Sequence, residues 1–159
     1  MKKLDLGFIQ GRMISPPSKK ILQYFPKKNW KKEFILAKKY NFNFIEYFSE
    51  RKFNKNNPIW SDRKLREINK LVKKNNLTNY SFCDDFFINN NLVNYIYLES
   101  YFKKIIKNLS LINIKVYILA LFEKSQINKK NLKNYINPLR IISRELNKKK
   151  NKICNRNKS

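Results

Sequence analysis

The side chains able to do chemistry in this sequence are carboxylates, a few arginines, two cysteines and one glutamine set beside a glycine. Histidine, the commonest general base and metal ligand, does not occur. Several of these residues close apolar runs. Gln10 and Arg12 follow the run LGFI, and Glu46 sits within FNFIEYF. Asp84 and Asp85 follow TNYSFC, and Glu123 follows IKVYILALF. A short apolar run that stops in small or polar residues reads as a strand ending at a site. Parallel strands would gather these ends at one mouth, where ligands bind in parallel α/β folds. Arg12 would offer its fork to a phosphate or carboxylate. Glu46 and Asp85 would accept hydrogen bonds from ligand hydroxyls. The candidate binding residues are therefore Gln10, Arg12, Glu46 and Asp85. The plainer alternatives stay open: Gly11 only turns the chain, Arg12 is a solvated charge, Glu46 pairs with a lysine, and Asp84 and Asp85 cap the next segment.

The remaining composition narrows the setting. Cys83 and Cys154 show neither CxxC spacing nor a disulfide framework. That suits a reducing compartment, and a cytoplasmic location is expected. Met1-Lys2-Lys3 leads into an apolar run broken by Asp5 and Gln10, which is no signal peptide. No apolar stretch is long enough to span a bilayer. Lys and Arg number 36 against 11 Asp and Glu, a net charge of +25 over 159 residues. Such an excess admits a nucleic-acid partner. Yet Lys far outnumbers Arg, and Lys, Asn, Ile, Phe and Tyr crowd a chain nearly empty of Gly and Ala. Those are the residues of A- and T-rich codons. Most of the charge is read as genome composition, and neither nucleic acid nor membrane is expected as a partner.

The elements that must position the candidates alternate. A strand from Leu6 leads into a loop over 14–28 that holds Pro16, Pro17 and Pro26. Asn29 caps a helix from Trp30 with an apolar stripe of Trp30, Phe34 and Ala37, and Asn41 ends it in glycine's place. A strand spans Phe42 to Phe48 and a loop Ser49 to Trp60. Ser61 caps a second helix with the face Leu65, Ile68, Leu71 and Val72. A strand covers Thr78 to Cys83. A third helix, Val93 to Leu111, turns Tyr95, Leu98, Phe102, Ile105, Ile106 and Leu109 inward. The strand Ile114 to Phe122 precedes a helix over Asn131 to Leu146 with Tyr135, Ile136, Leu139 and Ile142 on its face. Pro138 bends that helix or marks its start. The Trp30 and Trp60 rings are read as helix packing. The strands open at Leu6, Phe42, Thr78 and Ile114, 36 residues apart each time. Strand and helix in alternation imply right-handed βαβ units and a parallel sheet. A closed (β/α)₈ barrel needs roughly 250 residues, so this chain supplies about half.

The ordered set of motifs resembles the sugar phosphate isomerase/epimerase family, the xylose isomerase-like TIM barrels. Gln10-Gly11-Arg12 ending strand one, then the Pro-marked loop to Trp30, is similar to that family's opening. Phe44 to Glu50, FIEYFSE, resembles its second strand, with Glu46 in a glutamate's place. Asn57-Pro58 before Ser61-Asp62 resembles the lead-in to its second helix. Cys83-Asp84-Asp85-Phe86-Phe87 resembles its third strand end, with Asp85 before an aromatic. Ala120 departs from the family's proline in strand four. The resemblance covers residues 4–146, as four consecutive β/α units of a TIM barrel, a half-barrel with outer helices. Residues 147–159 are expected to form a disordered Lys/Asn-rich tail.

The resemblance implies isomerisation or epimerisation of a sugar or sugar phosphate, with a divalent metal polarising a carbonyl and hydroxyl pair while a carboxylate moves the proton. The family's metal ligands lie on its later strands. The resemblance therefore carries no metal ligand and no catalytic acid or base onto this chain. The chain is expected to be truncated, to hold no cofactor and to be inactive alone. Two rivals remain. One is a non-catalytic half-barrel that self-associates or binds a partner through its open sheet edges, and is then either a homodimer or poorly soluble. The other is an AP endonuclease, whose chemistry leans on histidines that are absent here. In the half-barrel, Phe8, Phe44, Phe82 and Ile118 are expected to point inward.

Overall fold

A computed structural model describes residues 5–16 and 24–156. Four short strands form one parallel sheet in the order β1-β2-β3-β4: β1 Gly7–Ile9, β2 Phe44–Ser49, β3 Thr78–Asp84 and β4 Val116–Leu119. They open within two residues of the expected starts. The helices are α1 (Lys32–Lys39), α2 (Asp62–Lys74), a one-turn α3 (Phe86–Asn89), α4 (Leu98–Leu111) and α5 (Leu132–Arg156). Because each strand lies beside its predecessor and βαβ crossovers are right-handed, the helices fall on one side of the sheet. No helix lies on the other side, where Tyr80, Val116 and Ile118 are exposed at 43%, 37% and 39% while Phe48 and Ser81 are buried. No helix among the described residues is long and apolar enough to cross a membrane.

The core lies between the sheet and its helices. Phe8, Ile45, Tyr47 and Phe82 from the strands meet Trp30, Phe34 and Ala37 of the α1 region, Leu65 and Ile68 of α2, and Phe102, Ile105 and Leu109 of α4, all buried. Trp30 packs edge-on to Phe34, and Trp60 lies between the rings of Phe53 and Tyr101. Both indoles therefore serve packing.

The four residues expected to point inward divide between the two faces. Phe8 and Phe82 face the helices, whereas Phe44 and Ile118 belong to the uncovered face. For Phe8 the reason is register, since Gly7 rather than Phe8 is paired with Phe44; for Phe82 it is a bulge. Ile45 pairs with Asn79 and Glu46 with Ser81, so Tyr80 is an extra residue in β3 and reverses its alternation. Gly7 has a packing reason to be glycine: the Phe44 ring lies across it, 2.0 Å from where a Cβ would stand.

Helix ends carry a repeated device. Asn41, Asn76 and Asn113 follow α1, α2 and α4 with φ of 59°, 54° and 57°. After each, an apolar residue donates its N–H back to the last helical turn: Phe42 to Ala37, Leu77 to Val72 and Ile114 to Leu109. This is the Schellman motif with asparagine in glycine's place. Ser61 caps α2 as expected, accepting from Lys64 N–H.

Other boundaries differ from expectation. Asn29 does not cap a helix; it closes a turn, and α1 starts at Lys32 without a side-chain cap. Val93–Tyr97 are turn rather than helix, and α3 was not anticipated. The last helix contains Pro138 and leaves Ile136 and Leu139 exposed, so only Tyr135 and Ile142 of its expected face are inward. It continues through Asn147 to Arg156, within the segment expected to be a disordered tail.

Candidate functional site

Glu46 of β2 and Ser81 of β3 are register partners on the uncovered face. The Ser81 hydroxyl donates to Glu46 Oε2 at 2.6 Å, so Glu46 is held by a neighbouring strand, and no lysine among the described residues is ion-paired with it. One pair further along the strands, Cys83 lies between Phe48 and Ile118. Its thiol donates to Asp85 Oδ1 at 3.3 Å. Burial pushes the Asp85 carboxyl above its usual range, and the Glu46 charge pushes the same way; the Cys83 hydrogen bond and the Arg51 charge oppose it. Burial also raises the Cys83 thiol, helped by the charges of Asp85, Glu46 and Asp84. Cys83 is thus a protonated donor here and no nucleophile. Glu46, Ser81, Cys83 and Asp85 form one cluster at the carboxyl end of the uncovered face.

Arg51 and Glu123 complete its rim. Arg51 leaves the end of β2 and reaches Glu123 after β4, Nη1 to Oε1 at 2.9 Å. Its guanidinium also lies over the Phe122 ring. Glu123 takes φ of 50°, a left-handed conformation that costs energy for a residue other than glycine. Both partners are about half exposed, so the pair adds little stability, but it ties two strand ends together.

Asp84 turns the other way. It is fully buried beneath the sheet. Its Oδ1 accepts from Ser49 Oγ at 2.5 Å, Tyr101 OH at 2.9 Å and Phe86 N–H at 3.3 Å. Its Oδ2 accepts from Tyr117 OH. Burial raises its pKa against those four donors. Asp84 therefore clamps β2, β3, β4, α3 and α4 together and starts α3, as the capping alternative has it. Asp85 makes no side-chain cap bond.

The first strand end is built differently. Gly11 has φ of 89°, and the Tyr24 carbonyl oxygen would stand 1.9 Å from a Cβ there, so only glycine fits. Arg12 is exposed and lines a cleft of about 260 Å³ with Gly11, Met13, Ile14, Ser15, Pro16 and Tyr24. Its side chain makes no ion pair with a described residue. Gln10 is 2% exposed, and neither polar atom of its amide has a partner among the described residues. The structure thus joins Glu46 with Asp85, sets Arg12 in a cleft of its own loop, and buries Gln10.

Glu33 of α1 is a residue the sequence reading missed. Its Oε1 accepts from Gly11 N–H at 2.7 Å and Met13 N–H at 3.3 Å, holding the loop that presents Arg12. Burial pushes its carboxyl up to about 7, although both backbone bonds favour the charged form. The signal was its position: Trp30, Glu33, Phe34 and Ala37 share one helix face. Ser81 and Cys83 were likewise missed, although they alternate along one side of β3.

No group of three or more carboxylate or thiol side chains among the described residues is placed to hold a metal ion. No protein-family model matches the chain, and no curated protein matches it.

Proposed function

We propose that this chain is a half-barrel of the sugar phosphate isomerase/epimerase type that binds a sugar or sugar phosphate at the carboxyl ends of its strands. The observation that carries the reading is the cluster on the uncovered face, where Ser81 orients Glu46 and Cys83 orients Asp85. Two carboxylates held by neutral donors keep lone pairs for further donors, which is what adjacent hydroxyls of a polyol supply. The sequential parallel sheet and the ordered motifs from Gln10 to Asp85 support the same reading. Arg12, with its guanidinium free of ion pairs among the described residues, supplies the fork for a phosphate. The chain alone binds its ligand without turnover.

Titration calorimetry with pentose and hexose phosphates and their unphosphorylated sugars tests this. Arg12→Ala should weaken sugar phosphates by roughly 10- to 100-fold, the loss of one charge-assisted contact, and leave neutral sugars unchanged. Glu46→Ala should weaken both classes. Equal affinity of parent and Arg12→Ala for sugar phosphates would remove Arg12 from the site. Failure of the parent to bind any of these compounds at millimolar concentration would overturn the reading.

A further inference from the structure

We propose that two copies of this chain close a single eight-stranded barrel, the β4 edge of each pairing with the β1 edge of the other. The inference rests on the half-barrel reading above and deepens it, because each copy then supplies half of one binding mouth.

The two sheet edges carry the argument. On β1, Gln10 N–H goes to the Glu46 carbonyl and Asn43 N–H to the Leu6 carbonyl. Alternation therefore directs the N–H groups of Gly7 and Ile9 away from β2. On β4, Lys115 N–H goes to the Tyr80 carbonyl, so those of Val116 and Ile118 point away from β3. No described strand pairs with either edge. Both edges run in the same direction, since every pairing in the sheet is parallel. A half-turn about an axis along the strands lays the second copy's β1 beside β4 and its β4 beside β1. Both contacts form at once and the assembly closes at two copies. Eight strands is also the number at which side chains just fill a barrel's interior.

Exposed apolar side chains gather where this closure would cover them. Val116, Ile118 and Tyr80 lie on the uncovered face. Leu132, Ile136 and Leu139 form a stripe on α5 that is 55%, 47% and 37% exposed. At the other end of the helix layer, Ile35 of α1 is 61% exposed. A different protein would have to supply both a β1-like and a β4-like edge, whereas a second copy supplies both by symmetry. The charge of +25 on each chain opposes the contact, which gives the association a sign: salt must strengthen it. In the closed assembly Glu46, Asp85 and Arg51 of the two copies face each other across one mouth, while a single chain provides one wall.

Sedimentation equilibrium of the full chain at about 0.1 M and about 1 M salt, with amide hydrogen exchange, tests this, since the screening length falls from about 10 Å to about 3 Å over that range. The expected result is twice the chain mass, tighter association at high salt, and slow exchange at Gly7, Ile9, Val116 and Ile118. Ile118→Lys and Ile136→Lys alter side chains exposed in the single chain, so each should halve the mass while leaving the circular dichroism unchanged. A monomer at both salt concentrations would overturn the proposal, and so would a dimer in which those four amides exchange freely. Sugar phosphate binding measured on the same samples separates the two readings. A dimer that binds no sugar leaves closure standing and overturns the ligand, and a monomer that binds sugar overturns closure alone.

Discussion

Glu33 lies on the core side of α1, where the helix period calls for an apolar side chain. Its carboxylate ties down Gly11 and Met13, so the loop before Arg12's cleft depends on a buried acid. The folded chain holds this proton more tightly than the unfolded chain, at about 7 against 4.5. The stabilisation is fully present below about 4.5 and is lost as pH rises to about 7. Its size is on the order of 3 kcal/mol. Asp84 and Asp85 are raised in the same direction, so the parent should be compared with Glu33→Gln. Thermal melts between pH 5 and 8 should show the parent losing stability relative to Glu33→Gln as pH rises. A constant difference would show that Glu33 does not titrate there. Gly11→Ala should cost at least about 1–3 kcal/mol from the φ alone, read from a urea unfolding midpoint. Much of this was legible. Gly11 announced a turn, Asp85 a polar strand end, and Glu46 a carboxylate inside an apolar strand. Partners were not, because Ser81 reaches Glu46 only once two strands are in register.

Three helices of this chain end alike. With two glycines in the whole sequence, asparagine takes the left-handed position after α1, α2 and α4. Asparagine tolerates that region better than any β-branched or bulky residue. Asn76→Ala should cost about 1 kcal/mol, and Asn76→Gly should be neutral or slightly stabilising, both read from urea midpoints. An alanine variant as stable as the parent would show that the cap carries no strain. Asn41 was readable as a helix end because a lysine-rich amphipathic stretch stops there. The inward set was not readable in full. One extra residue, Tyr80, shifts β3 by one place and sends Phe82 to the helix side while Ile118 stays on the open side. The inward face of α5 was ambiguous for another reason. Leu132, Tyr135, Ile136, Leu139 and Ile142 make one apolar stripe about 120° wide, and packing against α4 buries only the edge with Tyr135 and Ile142.

Across the whole molecule the charges are segregated. Glu33, Asp84, Asp85 and Glu145 are buried, Glu46 is held by Ser81, and Glu67, Glu99 and Glu123 are ion-paired. Few carboxylates remain to offset the lysines of the outer surface, so self-repulsion opposes the compact state. Added sodium chloride should therefore raise the melting temperature. Screening that restores about 1 kcal/mol gives roughly 2–4 °C in a chain of this size. A fall in melting temperature with salt would mean that the surface ion pairs outweigh the repulsion. The composition made the excess charge legible, but not its placement, because burial of four acids is a property of the fold.

The strand order has a kinetic side as well. In this sheet the order in space is the order of synthesis. As a ribosome extrudes the chain, β2 can dock on β1 once the α1 connection has emerged, β3 on β2, and β4 on β3. No strand must wait for a later one to be inserted between two already placed, as happens in sheets with mixed order. Each addition closes only the loop of one βαβ crossover, so the entropy of each step stays small. The growing edge is always the newest strand. The nascent sheet thus carries a single templating edge toward the ribosome at every moment, and β1, the first edge made, stays open throughout.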